Sequence, residues 1–346
     1  MKKFIKLIAL ICVVSLLAGC GLVSEVEETK DGKSEQVPAD TVVMTINGVD
    51  FDMSRYNLYL YIGKSQVMSE AGYVDEASVP NDFWTQKKDG KTNFDRAKEI
   101  AKDNLINDYL SYEKAKKLGI ELSEEDKTQI SSQISMMKQD TESVKKYEEN
   151  GFDIAELEEY VTEMTHVNHI LPALIEKGEL KVDEAQAEKI LREEYVKVQH
   201  ILTFTINPQT NEPLPADQIK VAEERTQEIL GKINAGGDFK KLAEEYTHDS
   251  GIEYLFGKGE MVPEFERVSF ELKVGQVSGP VQTEYGIHII KKMPLDLKGE
   301  QETLKLQAIK SRLVEPDFEK LLEKWKSAAK INVKQDVIDK IKAPTK

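Results

Sequence analysis

The chain has 346 residues, 47 of them basic and 62 acidic, and a net charge of −15. That balance argues against a nucleic-acid partner and against docking on anionic lipid by charge, because both need basic patches. Two cysteines, Cys12 and Cys20, exclude a disulfide-built scaffold.

The first elements are read as an address. Lys2, Lys3 and Lys6 precede a charge-free apolar run over residues 7–18. That run is too short to span a bilayer and has the length of a signal core. It ends in Leu17-Ala18-Gly19-Cys20, a pattern that resembles the bacterial lipobox. The expectation is a lipoprotein signal over 1–19 and lipidation at Cys20. The mature charge would then be −18, since three lysines leave with the signal. Two acyl chains hold a protein on a membrane far more firmly than one. The expected location is therefore the extracytoplasmic face of a cell membrane, of Gram-positive type rather than in a Gram-negative envelope. Residues 20–40 are polar and charged and read as a flexible tether.

Beyond the tether, roughly 300 residues exceed one typical core, so two lobes are expected. Asn47-Gly48 between β-formers predicts a hairpin, and a helix begins near Ser54. Residues 71–92 read as a looser stretch. Over 93–118, Ala97, Ile100, Ala101, Leu105, Tyr109 and Tyr112 share one helical face. Gly119 is placed to close that helix, and Ser123 to Asp126 read as a capping box. Further helices are expected over 124–148, over 153–178 with a kink or boundary at Pro172, and from Val182 to Tyr195. His166 and His169 share a helical face, but no further His or Cys completes a metal set. They read as ordinary helix residues, and no metal or cofactor is expected.

The pattern changes over 196–294. A strand (196–206) carries Val196, Val198, His200, Leu202 and Phe204 on one side. Helices follow over 216–235 and after Gly236-Gly237, then a loop at Thr247-His248-Asp249-Ser250, a short helix near Phe265, and two strands around Ser278 and His288. This order, β-α-α-α-β-β, is an α+β plan with an antiparallel sheet. A histidine buried in an apolar strand needs its ring nitrogens bonded, and His288 is the expected partner of His200, directly or through a hydroxyl. Past residue 296, Leu304, Leu306, Ile309 and Leu313 precede Pro316, and Phe318, Leu321, Leu322 and Trp325 follow it. These stripes are expected to fold back on the N-terminal helices.

The string VQHIL, GGDFKKLAEEYTHDS, then GKGEMVPEFERVSFELKVGQVSGPVQTEYGIHII resembles a parvulin-type peptidyl-prolyl cis-trans isomerase domain. With the lipobox and flanking helices, the chain is similar to the PrsA-type foldase lipoproteins, and its N-terminal lobe to the SurA-type chaperones. The resemblance implies a mainly helical, discontinuous chaperone lobe (41–195 and 297–346) with an inserted parvulin-like domain (196–296). It implies that His200, Asp249, Thr283 and His288 are catalytic, with Thr283 bridging the two rings. It places Met261 and Phe265 in the wall that holds the substrate proline, and Ser250 at the rim. The run SGIEYLFGKGEM lacks the family's paired glycines, so Leu255, or Tyr254, takes the place of the pocket leucine. The loop before Pro215 has no Lys or Arg, which argues against phosphate recognition. Expected partners are unfolded or newly secreted proline-containing polypeptides and, through the anchor, the membrane, with a homodimer left open. The alternative function is a holdase that binds clients without turnover.

Overall fold

The computed structural model describes residues 37–344. The signal segment, Cys20 and most of the expected tether lie outside the described residues. The chain divides into two compact units. One ends at Leu180 and resumes at Pro316; the other runs Lys181–Glu315.

In the first unit, β1 (Val42–Ile46) and β2 (Val49–Asp52) form the hairpin. Asn47 and Gly48 take positive φ at its tip, 51° and 88°, the requirement of a tight two-residue turn. Asp52 then caps α1 (Met53–Glu70) by accepting from the Arg55 N–H. The stretch expected to be loose holds a second, two-residue hairpin, β3 (Lys87–Lys88) and β4 (Lys91–Thr92), turning at Asp89-Gly90. Thr92 caps α2 (Asn93–Lys117). Gly119 follows it with φ 74°, and Ser123 and Asp126 close a capping box on α3 (Glu124–Gln139).

Two expected helices are each divided. Asp140 ends α3 and caps α4 (Thr141–Glu149), its side chain accepting from the Ser143 N–H. The helix expected over 153–178 breaks at His169, giving α5 (Ile154–Asn168) and α6 (Ile170–Glu176). Pro172 is not the break. It is the third residue of α6, where a backbone N–H has no helical acceptor in any case.

The second unit begins earlier than expected, with α7 (Glu184–Glu194) leading into β5 (Tyr195–Phe204). Next come α8 (Ala216–Asn234), α9 (Phe239–Tyr246), β6 (Glu253–Gly257), α10 (Pro263–Glu271), β7 (Val281–Gln282) and β8 (Gly286–Met293). Strand β6 was not expected, so the order is β-α-α-β-α-β-β. The antiparallel sheet runs β6-β5-β8-β7. Its central strands are covered on both faces. Val196, Val198 and Ile290 pack with Phe256, Phe265 and Leu272 on one. Ile201 and Ile289 pack with Ile229, Phe239 and Ala243 on the other.

Helix α11 (Glu300–Ala328) contains Pro316, at which the two units divide. The expectation that its whole apolar stripe joins the N-terminal helices is corrected here. Ile309, Leu306 and Leu313 pack with Ala187 and Leu191 of α7. Buried Glu302 meets Lys197 of β5 at 3.1 Å. Both flanks thus share a core with the sheet, which sets the boundaries at 180/181 and 315/316 rather than 195/196 and 296/297. After α11 the chain adds β9 (Ile331–Val333), also unexpected, antiparallel to β1, and then α12 (Gln335–Asp339). The expected C-terminal helical segment therefore also supplies a strand to the first unit's sheet β2-β1-β9. The whole is an α+β protein, mainly helical in one unit and built on an antiparallel sheet in the other.

Candidate active site

The site lies on the α10 face of the four-stranded sheet. The register sets Leu202 of β5 opposite His288 of β8 and His200 opposite Ile290, so both histidines project to the same face. At 2 % and 5 % exposure neither ring has much access to water. Their planes are nearly parallel, 17° apart, with Nδ1 facing Nδ1 at 3.2 Å.

Thr283 does not bridge the rings, as the resemblance implied. Its Oγ1 lies 2.9 Å from His288 Nε2, the far side of the pair. Gly286 makes this arrangement possible. A Cβ there would stand 2.2 Å from the Thr203 carbonyl oxygen, so only glycine lets β5 and β8 close next to Thr283.

Asp249 closes the other end. Its Oδ2 lies 3.2 Å from His200 Nε2, which also faces the Gly251 carbonyl at 3.2 Å. The loop carrying Asp249 is fastened to β5. The Thr247 hydroxyl accepts from the Leu202 N–H, the His248 N–H donates to the Leu202 carbonyl, and His248 Nδ1 accepts from the Phe204 N–H at 3.1 Å. His248 was not singled out as a site residue, and its two bonds to the end of β5 place it as a clamp. Its pKa is lowered by burial and then by the charge of Arg225, in keeping with an accepting Nδ1. Ser250 is exposed, and its Oγ lies 3.5 Å from Asp249 Oδ1, on the carboxylate rather than on either histidine.

Burial lowers the pKa of both rings. His200 falls below 6.5, with Asp249 opposing the shift. His288 falls to about 3, first by burial and then by the facing His200. Both are neutral near pH 7, and complementarity of donors and acceptors assigns the tautomers. His200 Nε2 faces only acceptors, so it carries the proton and Nδ1 accepts. His288 then donates from Nδ1 and accepts at Nε2 from the Thr283 hydroxyl.

Phe265 of α10 lies edge-on to both rings, with centroids 5.4 Å from His200 and 5.1 Å from His288. Met261 and Tyr254 pack on the same cluster. Leu255 does not. It pairs with Lys197 in β6–β5 register, whereas Tyr254 pairs with Val198. Alternation along a strand therefore turns Leu255 to the opposite face from Phe265. The aromatic alternation of Tyr254 and Phe256 was the available signal for β6 and for this choice. His166 and His169 lie apart from the site in the first unit; His166 Nδ1 faces the Thr162 carbonyl, and His169 Nε2 lies 3.3 Å from Asp126.

Residues 200–294 match the model of the Rotamase family, described as a PPIC-type PPIase domain. The foldase protein PrsA of Caldanaerobacter subterraneus subsp. tengcongensis is 29% identical over 335 residues, covering 93% of this chain and 94% of that protein. PrsA of Halalkalibacterium halodurans is 33% identical over 195 residues, covering 54% of each. The crystal structure of PrsA from Bacillus subtilis aligns over 77% of this chain and 100% of that one, at 22% identity and a TM-score of 0.34. The chain belongs among the homologues of the PrsA foldases, and residues 200–294 are its PPIC-type, or parvulin-type, peptidyl-prolyl isomerase domain.

Proposed function

We propose that this chain is a membrane-anchored, extracytoplasmic foldase that isomerises Xaa-Pro bonds in newly exported polypeptides. The observation that carries the reading is the hydrogen-bonded chain Thr283–His288–His200–Asp249, with both rings neutral, lying against the aromatic wall of Phe265. Isomerisation breaks no bond; its barrier of about 18–20 kcal/mol is the amide resonance lost on twisting. Phe265 and Met261 grip the proline ring while the preceding carbonyl turns. Neutral, fully bonded histidines keep the site weakly polar, which favours the less dipolar twisted amide over the planar one. Asp249 supplies a carboxylate at the rim, against His200. No base stands ready to activate a nucleophile, since both rings are committed to one another and to Asp249. Residues 205–215 offer no cationic side chain to a phosphate, so unphosphorylated substrates are preferred.

Phe265 is only 4% exposed, and this favours a second reading, a holdase whose proline site stays covered. A protease-coupled or NMR exchange assay on Xaa-Pro peptides separates the two. Turnover that falls in Phe265→Ala supports the first reading, and an inactive parent that still delays client aggregation supports the second. The anchor rests on Leu17 to Cys20. Cys20→Ala should release the protein from membranes or leave it uncleaved. Mature Cys20→Ala protein that still fractionates with membranes would remove the lipoprotein part of the proposal.

A further inference from the structure

Tyr254 stands at the junction of the two halves of the site. Its ring lies 5.3 Å from the His200 ring at 65° and packs on the cluster containing Phe265. Its hydroxyl donates to Asp249 Oδ1 at 3.2 Å. The same oxygen accepts from the Gly251 N–H at 3.2 Å, while the other carboxylate oxygen meets His200 Nε2. The hydroxyl is fitted closely into this loop: a Cβ on Gly251 would stand 2.3 Å from it. Burial and then the charge of Asp249 raise the phenol pKa, so the group remains a donor.

We propose that Tyr254 is a positioning residue of the isomerase site, whose hydroxyl holds the Asp249 carboxylate on His200 while its ring completes the wall beside Phe265 and Met261. The inference rests on the isomerase reading above. Asp249 sits on a loop with its side chain 27% exposed, and a partly solvated carboxylate rotates freely unless donors fix both oxygens. Tyr254 and the Gly251 N–H fix one of them, which leaves the other facing the imidazole. The two parts of the side chain then have separable effects. The hydroxyl acts through Asp249 on the turnover step, and the ring acts on substrate binding.

The test is a double-mutant cycle on the full-length protein, with an Xaa-Pro peptide as substrate. Tyr254→Phe should lower kcat about three- to tenfold, the range of one ordinary hydrogen bond, with KM within about twofold. Tyr254→Leu should raise KM as well. In an Asp249→Ala background Tyr254→Phe should have no further effect, because its target is gone. A second readout, the NMR signal of the His200 Nε2–H, should move in the same direction in Tyr254→Phe and in Asp249→Ala. Tyr254→Phe protein with parental kcat, multiplicative effects in the cycle, or a His200 signal unmoved by Tyr254→Phe would each overturn the inference. An inactive parent overturns the isomerase reading itself, and this inference with it.

Discussion

His200 Nδ1 and His288 Nδ1 face each other at 3.2 Å, and one proton between them sets the direction of a four-residue chain. Asp249 fixes the polarity. Because it only accepts, His200 must donate to it, His288 must donate to His200, and Thr283 must donate to His288. In this arrangement a proton added to His200 would set two ring N–H groups nose to nose, and one added to His288 would face the hydroxyl hydrogen of Thr283.

Acid should therefore act on the two units with opposite sign. The unfolded histidines take up protons near pH 6.5, which the folded pair refuses because its pKa values are lowered, that of His288 to about 3. Below pH 6.5 the unfolded state binds more protons, and the sheet unit loses stability. In the helical unit, burial raises Glu163 and Asp108 to about 7. Between pH 7 and the ordinary carboxylate range the folded state binds more protons, and that unit gains stability as pH falls. Both tryptophans, Trp84 and Trp325, lie in the helical unit. From pH 8 to 5.5 the fluorescence-detected midpoint should rise while the midpoint for loss of isomerase activity falls. Midpoints that move together would contradict these assignments.

The two faces of the sheet predict a contrast between neighbouring apolar residues. Phe265→Ala should cut kcat/KM more than about tenfold, since it removes the ring in contact with both histidines. It should also cost about 3–5 kcal/mol of stability as a large-to-small change in a core. Leu255→Ala, on the opposite face of β6, should leave kcat/KM within about twofold. Peptide kinetics well below the unfolding temperature check both, and a Leu255→Ala loss matching that of Phe265→Ala would reverse the face assignment.

Arg55 of α1 reaches α5, where it pairs with Glu156 at 2.9 Å and with Glu163. All three are largely buried, so removing the cation leaves carboxylates unpaired. Arg55→Met should destabilise the helical unit by about 3–5 kcal/mol at pH 8. Adding Glu163→Gln should recover part of the loss. Denaturant unfolding followed by tryptophan fluorescence measures it, and a neutral Arg55→Met would mean that water already screens the pair.

Truncation after Lys330 removes β9 and α12, and with them buried Val337 and Ile338. It also bares the β1 edge that pairs with Ile331 to Val333. The helical unit should lose about 3 kcal/mol, from two buried aliphatic side chains at about 1.5 kcal/mol or more each. Isomerase activity should persist, because residues 181–315 are intact. An unchanged fluorescence midpoint would show that the third strand adds nothing to the first unit.

Local chemistry made much of this legible in the sequence. Asn47-Gly48 announced its hairpin, Ser123 and Asp126 their capping box, and Gly119 its helix end, because each conformation depends on residues within a few positions. The histidines were legible too, since a titratable ring in an apolar strand requires a partner and the chain offers few. What escaped depends on neighbours distant in sequence. Strand β9 is three residues long, and only the free edge of β1, some 290 residues earlier, makes it a strand. Strand β6 is short in the same way, and only its pairing with β5 decides that Tyr254 faces the histidines while Leu255 faces away. Thr283 sits beyond His288 rather than between the rings because the β7–β8 turn brings it to the side of the His288 ring away from His200, in a register closed by Gly286. Residue types fix which groups need partners; only the long-range register of strands decides which partner each receives.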